Sequence, residues 1–185
     1  MMFSHIPFGV WTAILAFLCL LPGAFTLAKP DQAAAVSREL PRNGLLGKVF
    51  SALAFAWAGA LLYLYPFDFV VAIRNYVPFL ALAAIPLSWY CMPRLLAARS
   101  LGGLFVLLPA PVLLASRTTD SPFRLVVVVF VYLVAVYGMA LIMSPYYLRD
   151  HLAWLAARPA RLRAAGAASC AVGVLLLLLA VLVFR

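Results

Sequence analysis

Site chemistry needs carboxylates, imidazoles, thiols or hydroxyls brought together, and this chain supplies few of them. Its carboxylates are Asp31, Glu39, Asp68, Asp120 and Asp150, and its histidines are His5 and His151. None of these groups, and no Lys or Arg, falls in the middle of an apolar run. Proton relays and ion-coupled carriers place ionisable groups inside the bundle, so a proton-driven pump is disfavoured. His5 and His151 are expected at opposite membrane faces and cannot share the two axial positions of one haem. His151 and Asp150 are neighbours on a helix, about 100° apart around its axis, which is poor geometry for one metal ion. His151 therefore reads as a solvated or headgroup-facing side chain. Ser4 beside His5 lacks a third orienting group and is not a nucleophile–base pair.

Cys19, Cys91 and Cys170 lie far apart, within or beside apolar runs, and form no CxxC pair. They read as small apolar packing residues, not as a redox or zinc motif. No GxSxG, HExxH, P-loop or EF-hand pattern occurs. No cofactor is expected, and the chain reads as non-catalytic.

The elements that would position these groups are set by composition. Of 185 residues 68% are apolar and 10% charged, whereas soluble domains carry about 25% charged residues. A soluble fold of this size cannot hide that much apolar surface, so the solvent must be lipid. The fold class is an all-α polytopic bundle in a single transmembrane domain. Its six expected spans are approximately 6–28, 49–67, 75–93, 100–116, 125–148 and 164–184. Each is near the roughly 20 residues needed to cross a bilayer. The fourth is short and holds Pro109 and Pro111, so a bent or incompletely helical span is expected there. The first has no Lys or Arg before it and only a mediocre small-residue site at Thr26-Leu27-Ala28, so it reads as a retained helix, not a signal peptide.

The net charge of +9 is topological. The basic residues sit in short breaks between apolar runs, not on one polar face, so nucleic acid is not an expected partner. The breaks after spans one, three and five hold ten basic residues: Lys29, Arg38, Arg42, Lys48, Arg94, Arg99, Arg149, Arg158, Arg161 and Arg163. Only Arg74, Arg117, Arg124 and the final Arg185 lie on the other side. The positive-inside rule then puts the first set in the cytoplasm and both termini in the periplasm. Twelve Arg against two Lys, with abundant Ala, fits a bacterial inner membrane.

The expected architecture is three hairpins with basic cytoplasmic connectors. Pro30, Pro93 and Pro145 each close an inward span, and glycine follows near each return span: Gly44 and Gly47, Gly102 and Gly103, and Gly166. Hairpin duplication and the general tendency of Pro and Gly to collect at helix ends explain this equally. Two connectors read as interfacial helices, at about 31–40 and 146–158. In the second, Leu148, Leu152 and Leu155 share a face away from Arg149, Asp150 and Arg158, with Tyr146, Tyr147 and Trp154 suited to the headgroup zone. Arg149, Arg158, Arg161 and Arg163 form a candidate cluster for anionic lipid headgroups.

Packing signals are clearer than chemical ones. Ala52, Ala56 and Ala60 recur every four residues beside Gly59, and Gly166, Cys170 and Gly173 make a second small stripe beside Ser169. Small residues at such spacing let helices approach closely in lipid, within the bundle or against a partner protein or second copy. Pro22, Pro78, Pro86, Pro109 and Pro111 interrupt spans. Each is read either as a static kink or as part of a broken-helix substrate site.

The run Pro145-x-x-x-Arg149, Arg158-Pro159-x-Arg161-x-Arg163-x-x-Gly166 and the Leu-rich end after it (145–185) resembles small two-helix bacterial inner-membrane proteins of unknown function. The stretch 94–116, with Leu-Gly-Gly and Pro-Ala-Pro, is similar to uncharacterised polytopic membrane proteins. Neither resemblance implies a chemistry. The sequence points first to a structural, accessory or assembly subunit, and second to a carrier or channel for a neutral or lipid-like solute.

Overall fold

The computed structural model describes residues 6–64, 68–91 and 96–184. Ser4, His5, Pro93, Arg94, Arg185 and the side chains of Arg42 and Asp68, all weighed above, lie outside the described residues. Among the described residues every regular element is a helix. The α-helices in chain order are α1 (Phe8–Ala28), α2 (Pro30–Glu39), α3 (Gly44–Leu64), the short α4 (Asp68–Val71), α5 (Val77–Cys91), α6 (Leu96–Leu107), α7 (Pro109–Ser116), α8 (Arg124–Met143), α9 (Tyr146–Ala156) and α10 (Pro159–Leu182), with 3-10 turns at Leu40–Arg42 and Arg74–Tyr76.

Five of these segments are long and apolar enough to cross a membrane: α1, α3, α6 with α7, α8 and α10. Helix is the natural state of such runs, because in lipid each backbone N–H and C=O must be satisfied within the segment. Local chemistry sets their ends. Asn43 caps α3, its Oδ1 accepting the N–H groups of Leu45 and Leu46 at 3.0 and 3.2 Å. Proline starts α2, α7 and α10, where its missing N–H costs nothing. Pro22 lies inside α1, and the Thr26 hydroxyl donates to the Pro22 carbonyl one turn earlier.

The fourth span is stronger than expected: it is helical from at least Leu96, before residue 100, and runs to Ser116. Leu108 donates its N–H to Leu104 O at 2.9 Å, so the ladder carries on up to the prolines. Pro109 and Pro111 fall in the first turn of α7, where they do least harm. Of the third segment the structure describes α5, Val77–Cys91, with Pro86 inside it.

Helix pairing also differs from three consecutive hairpins. That plan needs α1 on α3, α5 on α6 and α8 on α10, and none of these is a principal pair. Instead α1 packs along α10, α3 lies between α5 and α6, and α6 packs on α8. The connectors explain this. The segments 29–43 and 144–158 each carry a helix of their own, α2 and α9, which sets the returning span away from its predecessor. The short link between α7 and α8 keeps those neighbours together.

The α1–α10 seam is antiparallel and built on a double seven-residue repeat of small residues. Gly9, Ala16 and Gly23 on α1 meet Ala180, Gly173 and Gly166 on α10. A seven-residue interval keeps a residue on one helix face over two turns. A methyl built on Gly9 would lie 3.3 Å from Ala180 O, and one on Gly173 3.0 Å from Ala16 O. The Ser169 hydroxyl crosses the seam to Cys19 O at 2.8 Å. The Phe8 and Phe184 rings meet edge to face, 4.7 Å apart, at its far end. A second close crossing joins α6 to α8, where Gly102 and Gly138 face each other's carbonyl oxygens. The main core, including Trp11, Leu15, Val112, Val127, Val131 and Leu176, ties the α1–α10 pair to α7 and α8.

Candidate functional site

The two connector helices meet at one end of the bundle. α2 packs on α9, and both rest on the adjoining ends of α10. Arg38 donates from Nη2 to the carbonyl of Ala156 at 3.2 Å, placing a cation at the negative end of α9. Leu148 of α9 is buried against Ala98 and Leu141, with Leu152 packed beside it. The apolar face of α9 is thus packed on the bundle itself. Arg149, Asp150 and Arg158 point away from it and are exposed.

The four arginines singled out from sequence lie together on α9 and the start of α10, but their settings differ. Arg149 Nε pairs with Asp150 Oδ1 at 2.9 Å, with both side chains more than half exposed. Such a pair is worth about 0–1 kcal/mol and largely cancels its own charge. Arg158 and Arg163 are exposed. Arg161 is half-buried. Its guanidinium lies 4.4 Å from the centre of the Trp154 ring, and its Nη1 donates to Trp154 O at 3.4 Å. The ring holds the cation in place by its negative face.

A relationship without any sequence signal lies next to them. Tyr137 Oη of α8 and His151 Nδ1 of α9 are 3.1 Å apart. With the ring proton on Nε2 the phenol donates to Nδ1. The His151 ring in turn lies 6.5 Å from that of Trp154. Tyr137 also lines an apolar crevice of about 490 Å³ between α1, α6, α8 and α10, with Leu15, Leu18, Leu133, Val134 and Ser169. The two residues are 14 positions apart across the Pro145 turn, and no periodicity pairs them.

A polar cluster sits where α3, α5 and α6 converge. Trp89 Nε1 donates to Ser51 Oγ at 2.7 Å, and Lys48 lies 5.5 Å from the Trp89 ring. Ser51, Ser88, Arg99 and Ser100 line a 200 Å³ cavity there. Arg99 stands in the first turn of α6, inside a span that the sequence expectation starts one residue later. Another crevice, of about 500 Å³, opens between α3 and α6–α7 toward Arg117.

The two small-residue stripes have separate fates. Gly166 and Gly173 are buried against α1, and Cys170 lies half-buried beside Gly23. That stripe is consumed within the chain and offers nothing to a partner. On α3, Gly59 faces Ala81 of α5 so closely that an added methyl would lie 2.7 Å from it. Ala52 and Ala60 are half-buried and Ala56 exposed. Ala56 and Ala60 line an open groove of about 290 Å³ with Tyr63, Pro78 and Ala81. Among the described residues no group of three or more His, Cys, Asp or Glu is placed to hold a metal ion. No family model, curated protein or solved structure matches the chain.

Proposed function

We propose that this protein is a non-catalytic structural or accessory subunit, with the α3–α5 groove as its surface for a partner helix. The observation that carries this reading is the open stripe of Ala56 and Ala60, set against the closed stripe of Gly166 and Gly173. Both have the spacing that brings helices together in lipid, and only the first is unfilled. α5 is held chiefly by α3, so a partner helix in the groove would cover the face these two helices share. The bacterial inner membrane, with both termini periplasmic, is the setting favoured by the Lys/Arg distribution. The test is native gel migration and co-purification of Ala56→Leu and Ala60→Leu proteins. Loss of association in a protein that still folds supports the subunit, and unchanged association removes the groove from the account.

A second reading, a carrier for a neutral or lipid-like solute, is favoured by one observation. The crevices of about 490 and 500 Å³ flank the α6–α7 segment, one lined by Tyr137 and the other opening toward Arg117. Transbilayer movement of a fluorescent lipid in proteoliposomes tests it directly.

A further inference from the structure

We infer that the crevice between α1, α6, α8 and α10 is the seat of one anionic phospholipid from the surrounding bilayer, with its acyl chain among Leu15, Leu18, Leu133 and Val134 and its phosphate at Arg161. Three observations converge on this occupant. The crevice has a volume of about 490 Å³, inside the range of pockets that bury a sizeable ligand. Its walls are almost wholly apolar, so a chain fits where a sugar or an ion does not. Its polar edge is graded in the order of a phospholipid.

That order begins at Tyr137, the lining residue nearest the connector layer, whose hydroxyl meets His151 at 3.1 Å. Phenol and imidazole offer hydrogen bonds at the depth of a glycerol ester. Beyond His151 come Trp154 and, stacked on it at 4.4 Å, the Arg161 guanidinium. Two further cations, Arg158 and Arg163, lie close to it in the chain and are exposed. The only carboxylate on α9 is Asp150, and it is engaged by Arg149 at 2.9 Å. The local balance therefore favours an anion over a zwitterion. Trp and Tyr at this depth suit the interface between acyl chains and headgroups, and a guanidinium matches phosphate in shape and charge.

The experiment uses the full chain in nanodiscs doped with phosphatidylglycerol or phosphatidylcholine, each carrying the same photoreactive group in its acyl chain. Labelled peptides are mapped by mass spectrometry. Wild type should be labelled at residues 15–19 and 130–137, with phosphatidylglycerol ahead of phosphatidylcholine by roughly fivefold, the factor one basic residue contributes beside an anionic headgroup. Arg161→Gln should bring that ratio close to one while leaving the labelled positions unchanged. Val134→Trp should sharply lower labelling by both lipids, because the indole obstructs the crevice between Leu133 and Tyr137. Equal labelling by the two lipids in wild type, an unchanged ratio in Arg161→Gln, or undiminished labelling of the same positions in Val134→Trp each overturns the proposal. Arg161 is only half-buried, so its variant tests the headgroup site even if Val134→Trp fails to fold.

Discussion

Gly23 of α1 and Gly166 of α10 touch backbone to backbone: a methyl on Gly23 would stand 3.0 Å from Gly166 O, and one on Gly166 3.2 Å from Gly23 O. The first and last spans of the chain are thus direct neighbours. Lipid tails are as apolar as leucine, so no hydrophobic gain drives this pairing. Close van der Waals packing and the Ser169 hydrogen bond to Cys19 O must supply it.

The seam makes a graded prediction. Gly9→Ala places a methyl against backbone, 3.2 Å from Phe184 C and nearer still to its carbonyl oxygen. Gly103→Ala meets nothing closer than 3.8 Å. Thermal unfolding in detergent should show the first destabilised by about 1–3 kcal/mol, the usual cost of overpacking, and the second within about 0.5 kcal/mol of wild type. Equal stability of the two variants would show that the α1–α10 contact is not close-packed.

Cysteine cross-linking tests the same pairing without a stability readout. In a chain with Cys19 and Cys91 replaced by Ser, Gly23→Cys should join the native Cys170 rapidly under mild oxidation, since a Cβ on residue 23 would stand 2.7 Å from Cys170 Sγ. A failure to join would return the spans to separate hairpins.

Topology is checked by fusion. Alkaline phosphatase placed after Asp120 or after Arg185 should be active and after Arg158 inactive, following the ten-to-four division of basic residues. Activity at Arg158 alone would invert the bundle.

The all-helical class was legible because composition leaves no other solvent than lipid, and five apolar runs hold helices long enough to cross it. The start of the fourth span was misplaced, since hydropathy registers the charge of Arg99 as a break although the helix already includes it. Small-residue stripes were visible, but not their partners. Gly166 and Gly173 needed the counterpart on α1, and Gly9, Ala16 and Gly23 are too sparse to stand out in a span already rich in small residues. The arginine cluster was read from charge alone, whereas Tyr137 and His151 join only because α9 folds back over α6 and α8. Local periodicity carries no information about such a return.

The Tyr137–His151 contact predicts how α9 is held. Tyr137→Phe keeps the ring beside Phe105, 6.2 Å away, and removes only the hydrogen bond. A loss of about 0.5–1.5 kcal/mol is expected, confined to the docking of α9. Amide exchange should accelerate in residues 146–156 and remain unchanged in the α1–α10 seam. Acceleration spread evenly over the bundle would mean that α9 is not a separately held element.

The final prediction separates subunit from carrier by the parts each needs. A carrier must rearrange around a site at mid-depth, so its helix breaks are indispensable. A subunit needs only its outer groove. Pro22 lies inside α1, and the Thr26 hydroxyl bonds back to the Pro22 carbonyl, a contact that bends a helix in place, while Pro109 sits in the first turn of α7, where it interrupts little. Both prolines have the settings of fixed kinks. Pro22→Ala and Pro109→Ala proteins should therefore accumulate and associate as wild type does, while Ala56→Leu loses association because leucine fills the α3–α5 groove. Gly173→Leu is the contrasting control: it should unfold the bundle itself, since its side chain would enter Leu20 and the Ala16 carbonyl. Native gel migration reads association, thermal unfolding reads the fold, and lipid or solute movement in proteoliposomes reads transport. Robust transport that disappears in the proline variants, with association indifferent to Ala56→Leu, would replace the subunit by the carrier.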